Sequence, residues 1–378
     1  MAGIRVLDNS TIHDILINLS RTETFDFLHI LEQTLLDFTT TERHHQPAPS
    51  VANRPDGQNT LFRPFTSSSS IGTKIIVDPA PNSTGKRDPQ GGVIVLCDEK
   101  GSPSGVLSAE EITGYRTSMN AMVPFCWRKH VENIVIFGAG VQALWHSRLI
   151  LALRGDEVKS ITYVSGDRAR ANKLRATISA ENDARWKASC SLRHISSLAP
   201  EEEFQRELKS CLHEASCIFC TTPAKKPLFP PSYLPNVGSK GNSSSRLPFI
   251  SAVGSWQPDM IELDPELLRL AIASNSSVTE KAGGAILVDD REFGLTNSGE
   301  LIQSQVAAKD IVELGEIIAL RKGRRNEISG LVAERGAEEM NWFISEGFVV
   351  YKSVGVSLTD LTVSEAVLEL AKARGSKS

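Results

Sequence analysis

Two groups of residues have types and spacing that could do chemistry. The first is Gly138-Ala139-Gly140-Val141-Gln142-Ala143, which follows the unbroken apolar run Ile134-Val135-Ile136-Phe137 and precedes a helix-like segment, Leu144 to Leu153. A strand buried on both faces, a glycine turn and then a helix form the setting that makes a glycine motif a dinucleotide site. Gly138 allows the tight turn, Gly140 lets the backbone approach a pyrophosphate, and Ala143 lets the helix pack close to the strand. The helix start at Val141 and Gln142 then offers free N–H groups and a positive dipole end to the phosphates. The second is Lys74, set inside the strand-like run Ile71-Gly72-Thr73-Lys74-Ile75-Ile76-Val77. A lysine in an apolar strand is unfavourable unless it is paired or faces a cavity. It therefore reads as a candidate site residue, with an outward-facing edge lysine as the alternative.

Two other groupings carry less. Cys217-Ile218-Phe219-Cys220 is a CxxC, but a zinc site would want a second pair or histidines at ligand spacing, and His213 alone is thin support. The segment reads as a buried strand with reduced core cysteines. His44-His45 are adjacent residues before a polar loop and read as solvated. No metal is expected.

The elements that must position these groups come in two kinds. A short strand at Val6-Leu7 precedes a helix carrying Ile12, Ile15, Leu16 and Leu19, with Ser10 or Thr11 as its cap. A second helix, about Thr22 to Phe38, buries Phe25, Leu28, Leu31, Leu35 and Phe38. Strand-like pieces follow at residues 59–62, 71–77, 91–98 and 105–107, with no regular crossover helices between them, which is an α+β pattern. Ser108-Ala109-Glu110-Glu111 has capping-box spacing and starts a helix carrying Thr113, Arg116, Thr117 and Asn120.

From about residue 121 the pattern changes to strands alternating with helices. Strands are expected at 134–137, 160–164, 216–220, 249–253, 277–279, 285–288 and 348–352. That alternation predicts a Rossmann doubly wound α/β domain, residues 121–352. Residues 1–120 plus 353–378 are expected to form an α+β substrate-binding and dimerisation domain, completed by a C-terminal helix over Thr362 to Ala373. Residues 238–246 read as a polar surface loop.

Bulk properties exclude several classes. With 378 residues, two domains are the natural expectation. A net charge of −4 gives no basic footprint for nucleic acid. No apolar run reaches bilayer length, so no membrane partner is expected. The first residues lack the pattern of a signal peptide, and a cytoplasmic location is the default expectation.

Four segments, in order along the chain, resemble those of the ornithine cyclodeaminase/mu-crystallin family. Ile112-Thr113-Gly114-Tyr115-Arg116-Thr117-Ser118-Met119 is similar to its I-T-x-x-R-T-x-A segment, with Met119 for the last Ala. Gly138 to Ala143 resembles its G-A-G-x-Q-A turn, and Ser251 to Asp264 its N-A-V-G-S-x-x-P-x-x-x-E-L-D segment. Lys352 to Asp360 resembles its K-S-x-G-x-A-x-x-D segment. The resemblance implies a two-domain homodimer that binds NAD(H) or NADP(H) and handles amino acids or cyclic imines by hydride transfer.

Such a substrate carries a carboxylate and an imine or amine. It calls for fixed cations, preferably a bidentate Arg, and for a proton donor near the nitrogen. The resemblance makes Arg116 and Lys74 the catalytic candidates and places both against the substrate. It puts Thr117, Thr221, Thr222, Val253, Gly254, Ser353 and Gly355 along the cofactor, together with the turn residues. Asp360 matches a family Asp, with a cap of the C-terminal helix as the alternative.

Two departures shape the functional expectation. The family's early P-x-R is Pro47-Ala48-Pro49 here, so that Arg is missing, and Arg63 on a neighbouring strand is the candidate replacement, or else a surface residue. Where true cyclodeaminases carry a catalytic Asp, this chain has Trp256. Trp cannot relay a proton, but it can wall an apolar or cyclic pocket. The reductase-like branch is therefore expected, that is, an NAD(P)H-dependent oxidoreductase acting on a cyclic ketimine, imino acid or related amino acid. A cyclodeaminase-like lyase and a nucleotide-dependent binder without turnover stay open. The second strand ends at Ser165, with Arg168 and Arg170 close behind. A small hydroxyl followed by arginines suits a 2′-phosphate, so NADP(H) is favoured over NAD(H), with Asp167 either opposing that choice or capping the helix.

Overall fold

Strand alternation builds one sheet, and strand–helix alternation builds another. The computed structural model describes residues 4–85, 88, 90–235, 247–255, 257–274, 286–328 and 337–375. The chain divides into Met1–Arg116 with Val356–Ser378, and Thr117–Gly355. The division falls between Arg116 and Thr117 rather than after Asn120, and between Gly355 and Val356 rather than after Lys352.

In the first unit six strands form a sheet: β1 (Arg5–Leu7), β2 (Ser50–Asn53), β3 (Asn59–Thr66), β4 (Ser70–Asp78), β5 (Gly91–Asp98) and β6 (Pro103–Ser108). Their order is β1-β6-β5-β4-β3-β2, and every pair but β1·β6 is antiparallel. For β2·β3, β3·β4 and β5·β6 the connecting turns are too short for a parallel crossover. Leu7, Leu107 and Ile94 share one register row with Lys74 and Arg63, and Leu96 and Phe65 lie on the same buried face. The C-terminal helix Ser357–Ala373 packs so closely on this face that a Cβ at Gly105 would lie 2.7 Å from Leu368. The opposite face carries Val6 and Ile71, both exposed, and Val95, Ile75 and Phe62, half-buried.

Two helices follow β1, α1 (Asn9–Ile17) and α2 (Arg21–Asp37). The cap of α1 is Asp8, not Ser10 or Thr11, because the Asp8 carboxylate accepts the Thr11 N–H at 2.8 Å. Ser20 and Glu23 form a reciprocal capping box on α2. The buried stripe of α2 runs through Phe27, and Phe25 is only half-buried. Helix α3 (Ala109–Cys126) follows β6.

In the second unit eight strands are all parallel: β7 (Asn133–Phe137), β8 (Ser160–Ser165), β9 (Ser191–Ser196), β10 (Cys217–Cys220), β11 (Phe249–Ala252), β12 (Ile286–Val288), β13 (Ile311–Glu313) and β14 (Val349–Lys352). The order is β13-β12-β14-β11-β10-β7-β8-β9. Helices α4 (Val141–Arg154), α5 (Arg168–Glu181) and α6 (Glu201–Glu214) follow β7, β8 and β9. The sheet grows one way from β7 through β8 to β9 and the other way from β10, so a switch point lies between β7 and β10. Ligands bind in the crevice beyond the strand ends at such a point.

The sequence reading did not include β9 and β13. β9 is an edge strand in which Ser191, Arg193, His194 and Ser196 are polar and only Leu192 and Ile195 are apolar, and β13 has only three residues. The expected strand at 277–279 and loop at 238–246 lie outside the described residues. Within β10, Ile218 and Cys220 belong to one apolar core, while Cys217, three residues from Cys220, points to the other face. Burial pushes the Cys217 thiol up to about 12 and raises that of Cys220 well above its usual value, so both stay protonated. No described helix is long and apolar enough to cross a membrane.

Candidate functional site

Lys74 is fully buried on β4, and the reason it can be is Asp360. Its Nζ lies 2.8 Å from each Asp360 carboxylate oxygen and 3.3 Å from Thr113 Oγ1. Thr113 and Arg116 stand three residues apart on α3 and so share a face. The Nε of Arg116, itself buried, donates to Asp360 Oδ1 at 2.9 Å. Asp360 stands in the first turn of the C-terminal helix, whose N-cap is Val356. Its carboxylate therefore joins β4 to α3 and does not cap. Arg63 lies directly opposite Lys74 in the β3·β4 register, on the same face.

Two buried cations, Lys74 and Arg116, share the one carboxylate of Asp360. Burial works against the charge of Asp360, yet Arg116, Lys74 and Arg63 hold its carboxyl below the usual range. Lys74 feels burial and both guanidiniums more than its one carboxylate partner, and falls from 10.5 to about 7. Arg116 Nη1 is buried and has no hydrogen-bond partner among the described residues. An unmatched buried donor is costly unless a ligand supplies the acceptor. A small carboxylate meets both needs at once: the negative charge and the missing acceptor.

In the second unit the glycine turn leaves β7 at the switch point. Gly138 adopts φ +115°, where only glycine sits without strain, and its N–H donates to Val164 O at 2.9 Å. A Cβ there would lie 2.7 Å from Thr221 Oγ1, so the loop after β10 is against the turn. Gly140 is the N-cap of α4, with no side-chain cap and open space where a Cβ would be. Val141 beside it is exposed and Ala143 is fully buried. An uncapped helix start with room in front of it fits a dinucleotide pyrophosphate.

The loops beyond β10, β11 and β14 are held by buried carboxylates that the sequence reading did not single out. Glu262 accepts the N–H groups of Thr222 at 2.7 Å, Gly254 at 2.7 Å and Ser255 at 3.2 Å, and the Thr222 hydroxyl at 3.2 Å. Glu300 accepts the Glu262 N–H at 2.7 Å and the Ser255 hydroxyl. Lys352, at the end of β14, donates to Ser255 O at 2.6 Å and Oγ at 2.7 Å. Burial raises Glu262 to about 7 despite Lys352 and its N–H donors. For Glu300, Lys352 and its hydrogen-bond donors overcome burial and hold the carboxyl below its usual value. Asp289, just after β12, takes Ser353 Oγ at 2.7 Å and the N–H groups of Val354 at 2.9 Å and Gly355 at 2.8 Å. The donors of Thr222, Gly254, Ser353 and Gly355 are thus engaged inside the protein, and these residues offer a ligand shape and carbonyl groups. Lys352 closing an apolar strand carries the same signal as Lys74, a cation where burial demands a partner.

The remaining candidates are placed as follows. Val253 follows β11, its N–H on Cys220 O at 3.0 Å. Thr117 is buried on α3, and the next residue, Ser118, donates to Gln142 Oε1 at 3.2 Å and lies 2.9 Å from His146 Nδ1. Burial lowers His146 to about 4, so it is neutral. Ser165 ends β8, and Arg168 begins α5, exposed. Asp167 caps α5 through the Arg170 N–H at 2.9 Å. Trp256 lies outside the described residues. Among those described, no three His, Cys, Asp or Glu gather to hold a metal.

A doubly wound parallel sheet with a glycine turn at its switch point defines a Rossmann-type dinucleotide-binding protein. No family model matches the chain. It is 26% identical over 318 residues to a Delta(1)-pyrroline-2-carboxylate reductase of Bacillus cereus, covering 81% of this chain and 78% of that protein. It is 25% identical over 283 residues to the mouse ketimine reductase mu-crystallin, covering 74% of this chain and 69% of that one. The solved structure of the Thermococcus litoralis Delta(1)-pyrroline-2-carboxylate reductase, in complex with NADH and L-proline, shares the fold. Its TM-score is 0.70 at 20% identity, covering 98% of each chain. These similarities agree with the resemblance of its segments to the ornithine cyclodeaminase/mu-crystallin family.

Proposed function

We propose that the protein is an NAD(P)H-dependent reductase of a cyclic ketimine or imino acid that carries a carboxylate, or the reverse amino-acid dehydrogenase. The observation that carries this reading is the buried pair Lys74 and Arg116 on the carboxylate of Asp360, with Arg116 Nη1 unmatched and half-buried Arg63 opposite Lys74 on the same face. Arg116 holds the substrate carboxylate, and Arg63 supplies the charge that the missing Arg at Pro49 would have given. Asp360 orients both Lys74 and Arg116. Lys74 Nζ, poised near neutrality, gives its proton toward the substrate nitrogen. The turn Gly138 to Ala143 takes the pyrophosphate. When bound, the reduced nicotinamide supplies the hydride that adds to the imine carbon. Trp256 stands where cyclodeaminases carry their Asp, which favours reduction over cyclodeamination.

The test is a panel of five- and six-membered cyclic imine carboxylates, and of α-keto acids with ammonia, followed by NADPH absorbance. Oxidation of the nucleotide matched by formation of the cyclic amino acid is expected. Ammonia release from ornithine with catalytic NAD, or tight binding of imines with no oxidation by any of them, would overturn the proposal.

The cofactor is NADP(H) in preference to NAD(H). Asp167 is engaged as the α5 cap and in an ion pair with Arg170 at 3.2 Å, which leaves exposed Arg168 to meet a 2′-phosphate. Removing one such charge-assisted contact weakens binding about tenfold. Arg168→Ala is expected to raise the KM for NADPH by about that factor and leave the KM for NADH within about twofold. Equal changes for the two would remove the preference.

The protein is also read as a cytoplasmic homodimer. The uncovered apolar face of the six-stranded sheet, with Val6 62% and Ile71 41% exposed, supports self-association.

A further inference from the structure

We propose that Glu262 is the positioning residue of the nicotinamide half of the cofactor site, holding the loops beyond β10 and β11 in one arrangement without touching the ligand. The proposal rests on the reading of this unit as a nicotinamide-dinucleotide site.

A doubly wound sheet has two mononucleotide-binding halves. Here β7, β8 and β9 form one, with the glycine turn, Ser165 and Arg168 at their ends. β10, β11 and β14 form the other. The loops of the second half must hold a flat ring in one orientation for hydride transfer. Glu262 is fully buried and lies seven residues beyond Ser255, at the far end of the connection from β11 to the helix Pro265–Ser274. One of its oxygens takes Thr222 N–H and Oγ1 beyond β10, and the other takes the N–H groups of Gly254 and Ser255 beyond β11. The fit leaves no slack, since a Cβ on Gly254 would lie 2.1 Å from Thr222 O. Ser255 carries the tie onward to Glu300 and to Lys352 at the end of β14. Three adjacent strand ends are therefore coupled through one carboxylate. Thr221, next to Thr222, lies against Gly138 at the switch point, so displacement of this loop reaches the crevice directly.

A carboxylate is required because all four groups facing it are donors. Glutamine would turn an NH₂ toward at least one of them, while aspartate keeps the acceptors on a shorter stem. The two halves of the cofactor then give separate readouts. Dissociation constants would be measured by titration calorimetry for wild type, Glu262→Gln, Glu262→Asp and Ser255→Ala. The ligands are whichever of NADPH and NADH binds wild type more tightly, and the matching ADP-ribose fragment with or without the 2′-phosphate.

Glu262→Gln is expected to weaken the reduced dinucleotide about tenfold or more while the fragment changes less than about twofold, since only the second half is disturbed. Glu262→Asp recovers part of the loss. Ser255→Ala, which removes a hydroxyl and no buried charge, shifts the same ratio in the same direction by a smaller factor and covers the case in which Glu262→Gln does not fold. Parallel weakening of dinucleotide and fragment, or an unchanged ratio in every variant, would overturn the positioning role while leaving the cofactor reading intact. If wild type binds neither the dinucleotide nor the fragment, the reading beneath the proposal fails, and the proposal with it.

Discussion

Arg116→Met is expected to lower kcat/KM for the imine substrate by about 30- to 5,000-fold, with the cofactor dissociation constant unchanged. Truncating one partner of a buried charged pair costs about 2–5 kcal/mol, much of it from the group left behind. Here that group would be the substrate carboxylate, facing Lys74 and Arg63 without the guanidinium that carries the unmatched Nη1. Arg116→Lys restores the charge but not the fork, because one ammonium cannot keep Asp360 Oδ1 and also donate to a ligand in a second direction. Little rescue is therefore expected. Arg63→Ala removes charge from the same face without removing the direct contact to Asp360, and its loss should be smaller and confined to KM. Steady-state kinetics on the three variants, with thermal unfolding to confirm that each is folded, gives the comparison. Wild-type kcat/KM in Arg116→Met would show that the cluster is structural and that the carboxylate binds elsewhere.

Lys74→Met is expected to lower kcat by about 10²- to 10⁴-fold, the usual contribution of a positioned proton donor. The pH dependence makes the prediction specific. Burial and the two guanidiniums bring Lys74 to about 7. Of the groups facing it, Asp360 has its carboxyl held below the usual range by Arg116, Lys74 and Arg63 and stays ionised well below neutrality. Reduction needs the protonated lysine, so wild-type kcat should fall roughly tenfold per pH unit above about pH 7, and the residual activity of Lys74→Met should not show that limb. Stability moves the other way. Between about 7 and 10.5 the unfolded chain holds a proton on Lys74 that the folded protein has released, so the contribution of Lys74 to folding becomes more favourable as pH rises through that window. Below about 7 both states hold the proton, and the effect levels off. A wild-type profile with no limb between pH 6 and 9 would mean that another group or water supplies the proton.

Much of the fold was legible because its signals are local. The apolar run Ile134 to Phe137 before Gly138 needs no partner strand to be recognised, since burial on both faces forces every residue to be apolar. The alternation of strands and helices after residue 121 is a pattern of period and length, and it predicted a parallel sheet. The signals that failed were short or mixed. β9 sits at the sheet edge with mostly polar residues and no period-two alternation, and β13 is three residues long. The α1 cap moved to Asp8 because Ser10, Thr11 and Asp8 all satisfy the same sequence rule, and only backbone geometry distinguishes them.

The candidate site divides in the same way. Lys74 and the glycine turn were visible, one as a charge in the wrong place and the other as a backbone that tolerates no side chain. Asp360 was left between two roles, because its partners Lys74 and Arg116 lie 286 and 244 residues away along the chain. Glu262, Glu300 and Asp289 were not singled out. An acidic residue near a loop is ordinary in sequence, and its meaning here comes from backbone N–H groups contributed by other segments.

The sequence by itself determined what must be present: a dinucleotide turn, cations suited to a carboxylate, and a doubly wound sheet to hold the turn. Those follow from single-residue chemistry and short-range periodicity. Only the tertiary structure decided which charges meet. It set Lys74 and Arg116 on the one carboxylate of Asp360, left Arg116 Nη1 without an acceptor among the described residues, and put Glu262 against backbone beyond β10 and β11. Charge balance and hydrogen-bond satisfaction are properties of a neighbourhood, and a neighbourhood of residues distant in sequence exists only once the chain has folded.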